Sequence, residues 1–272
     1  MMNKMIKYVA LSLAFVFSLS LLAGCGSQKP AVSDKPIKVG VTAGPHAEIM
    51  DVVKKAAEKD GLKIEVVEFN DYIQPNVALN QGDIAANSYQ HQPFLDNQIK
   101  DRGYQIVSIA KTVIFPMGIY SKKIKNIAEV QPGATVAIPN DPTNGGRALL
   151  ILEKVGLIKL KPNAGLSATA ADIAENPKNL KIKELEAAQI PRSLDDVDLA
   201  AINTNFAVVA GLVPTRDSIA IEDANSPYAN VIAVSTKDKE NPVYQKLIKA
   251  YHSEEVKQFI NDHFKGSVVA TW

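Results

Sequence analysis

Short apolar strands alternate with amphipathic helices along this chain, and the alternation breaks off once and starts again. Residues 37–41 alternate apolar and polar as a strand does. Residues 47–59 then carry Ile49, Val52, Val53 and Ala56 on one helical face and meet Gly61 as a stop. A strand at 62–67, a short helix from Pro75 to the Gln81-Gly82 pair, a strand at 83–87 and a helix at 93–100 continue the series. Strands at 104–109 and 115–120 close this first run. The second run has strands at 134–139, 180–185 and 199–202, with helices at 142–155 and 205–210. A strand at 230–234 and helices at 242–251 and 253–264 follow, with Ser253 placed to cap the last. Such order predicts an α/β fold whose sheets are mainly parallel and flanked by helices. The break and restart predict two lobes with a ligand cleft between them. Residues 35–120 plus 226–272 are expected to form lobe one, and 121–225 lobe two. The chain then crosses between lobes twice, and such a cleft closes on a small ligand by hinge motion.

The folded part is expected to begin near Lys35. Before it, Lys4 and Lys7 precede an uncharged run from Tyr8 to Ala23, 16 residues long. That is shorter than the roughly 20 residues a membrane-spanning helix needs. A basic start, a short apolar run and the small residues of Leu22-Ala23-Gly24-Cys25 describe a secretory signal peptide over 1–24. The ending resembles the bacterial lipobox, which makes Cys25 the site of lipidation. Cys25 is the single cysteine of the 272 residues, so no internal disulfide can form. Two or more acyl chains on one residue anchor stably, where one holds only marginally. Residues 25–34 are small, polar and contain Pro30, and read as a flexible tether. The expected location is the extracytoplasmic face of a cell membrane, held by the lipid.

Loss of the leader removes two of the 30 basic residues, leaving 28 against 29 acidic and a net charge of −1. With no long basic patch, nucleic acid is not an expected partner. Nor is an enzyme expected. None of His46, His91, His252 and His263 stands in a recognisable Ser-His-Asp or Cys-His arrangement. There is no Gly-x-Ser-x-Gly elbow, no Gly-x-Gly-x-x-Gly after a strand and no Walker loop. No spacing suits a metal, and no cofactor is implied.

The segment from Pro139 to Arg147 joins a strand to a helix. Asp141 or Thr143 can cap that helix, and Pro142 suits its first turn. Gly145 and Gly146 would let a ligand approach the backbone. Arg147 then places a cation where the helix dipole disfavours one. Either a ligand's anion resolves that conflict through the planar guanidinium, or Asp141 or Glu153 does. Asn203 ends the apolar run 199–202, beyond which ligands of open α/β sheets bind. Its amide either meets a ligand's ammonium or satisfies the following turn. Aromatic residues cluster at two further strand ends, in Phe69-Asn70-Asp71-Tyr72 and in residues 87–94. They either line an apolar slot or belong to the core.

Those blocks, with Asn176 to Lys181, Ile202 to Asn205 and Ser226 to Asn230, resemble the NlpA/MetQ family of methionine-binding lipoproteins across almost the whole mature chain. The resemblance implies a type II periplasmic-binding-protein-like fold and an ABC transporter permease with its ATPase as partner. It implies methionine, its D-form or a methionyl dipeptide as ligand. Arg147 would pair with the ligand carboxylate, and Asn144 and Asn203 would hydrogen-bond its carboxylate or amino group. Tyr72, Tyr89, His91 and Phe115 would surround the side chain. The family more often has Phe at the position of Tyr89 and Tyr at that of Phe94. The added hydroxyl at Tyr89 would make the pocket more polar, leaving another small amino acid or anion as the alternative ligand.

Overall fold

A computed structural model describes residues 35–223 and 225–272. The expected signal peptide, the tether and Cys25 lie outside the described residues. In chain order the first strands are β1 (Ile37–Thr42), β2 (Ile64–Phe69), β3 (Ala86–His91), β4 (Ile106–Lys111), β5 (Val113–Ile114), β6 (Gly118–Tyr120) and β7 (Thr135–Pro139). The rest are β8 (Lys159–Leu160), β9 (Ile173–Glu175), β10 (Lys181–Leu185), β11 (Leu199–Ile202), β12 (Ala220–Ile221), β13 (Asn230–Ser235) and β14 (Val269–Ala270). The α-helices are α1 (Pro45–Glu58), α2 (Gln74–Gln81), α3 (Gln92–Arg102), α4 (Pro142–Lys154), α5 (Thr204–Val209), α6 (Pro214–Asp217), α7 (Pro242–Tyr251) and α8 (Glu254–Phe264).

Two five-stranded sheets carry the fold, ordered β2-β1-β3-β13-β4 and β10-β7-β11-β6-β12. In the first, β1 is parallel to β2 and β3, while β13 is antiparallel to β3 and β4. Four strands therefore share one direction and β13 opposes them. The second sheet repeats this, with β6 as its reversed strand. Most strands of each sheet thus run parallel, as the alternation of elements predicts, though the reversed strand makes two of the four pairings antiparallel. The reversed strand is in both cases the first to follow a crossing between sheets.

Two expected elements sit differently. The strand at 115–120 is broken, because Pro116 has no N–H with which to continue a ladder. Residues 118–120 pair instead with β11 of the second sheet. The first crossing is therefore Phe115–Met117, ahead of the expected boundary at 120. The strand expected at 83–87 lies at 86–91. This strand is fully buried although most of its residues are polar. Asn87 and Gln90 are buried, and their amides are satisfied by each other and by Asn76 at 2.7–3.0 Å.

Each sheet has its own core. In lobe one α1, α7 and α8 cover the sheet through Ile49, Met50, Val53, Leu247, Val256 and Ile260, all fully buried. In lobe two Ile119, Val136, Leu149, Leu152 and Leu199 are fully buried. Each such side chain contributes roughly 1.5–3 kcal/mol over leaving it exposed. Two rigid layers on two sheets leave the seam between them as the place where polar groups can gather. No helix among the described residues is long and apolar enough to cross a membrane.

Candidate binding cleft

The start of α4 organises the seam. Asp141 is its N-cap: Oδ1 accepts from the Asn144 backbone N–H at 2.9 Å, and Pro142 holds the first turn. The Asn144 side-chain amide also donates to both Asp141 oxygens, at 2.9 and 3.1 Å. With its nitrogen so held, Asn144 turns Oδ1 outward as an acceptor. Arg147 is three residues on and shares that helical face.

Asn144 Oδ1 is met from two sides. Asn203 Nδ2 donates to it at 2.8 Å. His91 approaches from lobe one, its Nε2 at 3.2 Å. The His91 tautomer follows from its other nitrogen, which accepts the Phe94 N–H at 3.1 Å and so caps α3. Nε2 therefore carries the proton. Burial, with the Arg147 charge second, pushes the His91 pKa down to about 3. Burial does the same to His46, to about 3. His46 bridges Thr42 at 2.8 Å and Asn230 at 3.0 Å. Both rings are thus neutral near pH 7.

Arg147 is 3 % exposed, and its charge is met by a residue the sequence did not suggest. Neither Asp141 nor Glu153 holds it. Nε donates to Glu222 Oε1 at 3.0 Å and Nη2 to Glu222 Oε2. Nη2 also donates to the Phe115 carbonyl at 2.7 Å, and the Tyr228 ring lies under the guanidinium at 4.4 Å. One side chain therefore ties together both crossings, Phe115–Met117 and the segment from Glu222 to Tyr228.

Rings complete the wall. Tyr72 lies 4.8 Å from Phe206 and 6.0 Å from both Tyr89 and Phe94. Its hydroxyl donates to Asn205 Oδ1 at 2.5 Å, joining lobe one to lobe two. The Tyr89 hydroxyl, expected to make the pocket polar, is spent on the Tyr72 carbonyl at 2.9 Å. Burial raises both tyrosine pKa values far above their ordinary range, so both stay neutral donors.

All seven residues singled out from the sequence, Tyr72, Tyr89, His91, Phe115, Asn144, Arg147 and Asn203, line one cavity. His46, Phe94, Asn205 and Asn230 line it too and were not singled out. Of these, Phe94, Asn205 and Asn230 stood in blocks already quoted for the resemblance, which was the only sequence signal of the two asparagines. The alternative for Asn203, satisfying the following turn, is not what occurs: its side chain makes no cap bond to α5. The glycines also serve otherwise. A Cβ on Gly145 would lie 2.7 Å from the Pro139 carbonyl, and one on Gly146 2.5 Å from that of Leu166. They admit neighbouring backbone rather than a ligand.

The space among these residues is about 20 Å³, roughly what one water needs. A larger guest needs this space to widen. Two buried amide atoms in this wall have no protein partner, the acceptor Asn203 Oδ1 and the donor Asn205 Nδ2. A buried unpaired polar atom is costly and calls for an explanation. A guest that brings one donor and one acceptor would satisfy them. Among the described residues no group of three His, Cys, Asp or Glu side chains could hold a metal ion.

The NlpA lipoprotein family model matches residues 37–272. The D-methionine-binding lipoprotein MetQ of Salmonella typhimurium is 52% identical over 262 residues, 95% of this chain and 96% of that protein. A nutrient binding protein from Burkholderia cenocepacia bound to methionine has a solved structure with 59% identity and a TM-score of 0.85. The match covers 87% of this chain and 100% of that one. The crystal structure of the methionine binding protein MetQ gives 51% identity and a TM-score of 0.86, over 88% and 99%.

Proposed function

This chain belongs to the NlpA lipoprotein family, and on that premise we propose that it binds methionine between its lobes and delivers it to an ABC importer. The observation that carries this reading is the pair of unpaired buried amide atoms beside Arg147, within a wall of rings. Asn203 Oδ1 suits an ammonium, while Asn205 Nδ2 and Arg147 suit a carboxylate. The rings of Tyr72, Tyr89, Phe94 and Phe115 suit a thioether, since sulfur packs favourably at ring edges. Its close relatives include D-methionine-binding lipoproteins and a nutrient binding protein solved with methionine bound.

The role is capture and release without turnover. A lipid on Cys25 would hold the protein at the extracytoplasmic face of the membrane. There the permease with its ATPase would receive the ligand when the lobes open. The test is titration calorimetry of leaderless protein, unfolded and refolded to strip carried ligand, with L-methionine, D-methionine and a methionyl dipeptide. Saturable heat with one of them is expected. No heat with any of the three rejects the reading in favour of another small amino acid or anion, to be sought by thermal shift.

A further inference from the structure

Resting on the reading that an amino acid occupies the cleft, we infer that Glu222 is a built-in counter-ion for Arg147 and makes the cleft select a zwitterion over a net anion. Glu222 does not line the cavity; it stands behind Arg147. Its side chain is only 8 % exposed. It cannot readily swing away, for its N–H donates to the Met117 carbonyl at 2.9 Å and its Oε2 accepts the Met117 N–H at 3.3 Å. The pairing is therefore built into the crossing between the sheets rather than supplied by a mobile side chain.

The consequence is a matter of charge. The ionised groups that act on the residues lining the cavity are Arg147 and its partner Glu222, with Asp141 and, beside Tyr89, Asp71. The Asp141 oxygens are occupied by Asn144 and by the Thr143 hydroxyl. His46 and His91 add no charge near pH 7. The wall thus offers a guanidinium whose Nε and Nη2 are already bonded, leaving Nη1 for a guest, but no net positive charge. A lone carboxylate would be desolvated there with no surplus cation to answer it, and would leave Asn203 Oδ1 unpaired. A zwitterion brings its own ammonium for that oxygen. Without the Glu222 charge, Arg147 would lose its directly bonded counter-ion and hold a lone anion more strongly.

The test compares L-methionine with 4-(methylthio)butanoate, the same skeleton lacking the amine, by calorimetry on leaderless wild type, E222Q and E222D. Wild type is expected to favour methionine by about 100-fold or more, and E222Q to narrow that ratio by roughly tenfold or more. E222D keeps the charge and should keep the wild-type ratio. Equal weakening of both ligands in E222Q overturns the inference and leaves Glu222 a purely structural partner. The wild-type comparison needs no variant to fold: the amine-free anion binding as tightly as methionine overturns the inference alone. Wild type that binds no methionine overturns the functional reading instead, a distinct result.

Discussion

Removing the guanidinium of Arg147 separates what holds the cleft from what binds in it. Arg147→Met keeps an apolar stem of similar reach but deletes the bonds to Glu222 and to the Phe115 carbonyl, and the contact with Tyr228. Glu222, 8 % exposed at its side chain, is left as a buried charge without a partner cation. Breaking a buried pair in this way costs about 3–5 kcal/mol, a large part of the roughly 5–15 kcal/mol that holds a protein of ordinary stability. Replacing both partners, as in R147M/E222M, removes the uncompensated charge and should recover most of that loss. Methionine affinity should not recover, because the guanidinium proposed to meet the carboxylate is absent in both variants, at about 2–5 kcal/mol. Urea unfolding of ligand-free protein gives the first quantity from the midpoint at constant slope, and calorimetry gives the second. Wild-type stability and affinity in R147M would refute the assigned role outright. Recovery of affinity in the double variant would show that Arg147 serves the fold alone.

Three further outcomes follow from the same geometry. Tyr89→Phe should cost about 1 kcal/mol of stability by stranding the Tyr72 carbonyl, yet change methionine affinity less than twofold; a large affinity change would show that the hydroxyl reaches the ligand. Gly146→Ala should destabilise by about 1–3 kcal/mol, because its Cβ would meet the Leu166 carbonyl at 2.5 Å and the Ala168 nitrogen at 2.8 Å; an unchanged denaturation midpoint would contradict this packing. Stability should fall as pH drops from about 6.5 toward 3. In that window the unfolded chain protonates His46 and His91, ordinarily near 6.5, while the folded chain holds them neutral to about 3. The slope is up to about 1.4 kcal/mol per pH unit for each histidine, and His91→Gln should halve it. Urea midpoints at pH 7.5, 6 and 5 measure this, and no fall between the last two would refute the buried neutral rings.

Features fixed by neighbours in sequence were legible. The Asp141 cap, Pro142 and the shared face of Asn144 and Arg147 are all set within one turn of helix, and the strand–helix alternation gave both lobes. Features fixed by distant partners were not. Glu222 lies 75 residues beyond Arg147 and carries no local signal of its pairing. His46 depends on Asn230, 184 residues away. The strand β3 was misplaced because buried amides satisfy one another there, so that burial no longer tracks apolarity. The extra hydroxyl at Tyr89 was misread for a related reason: a polar tip near a cavity faces whichever partner the fold supplies, here the Tyr72 carbonyl.

The position of the bound guest is the decisive measurement. A crystal structure of the leaderless protein with methionine should show the ligand enclosed between the lobes, its carboxylate on Arg147 and its ammonium on Asn203 Oδ1, with the thioether among Tyr72, Tyr89, His91 and Phe115. Methionine seated outside this seam, or lying within it with its carboxylate turned away from Arg147, would contradict it.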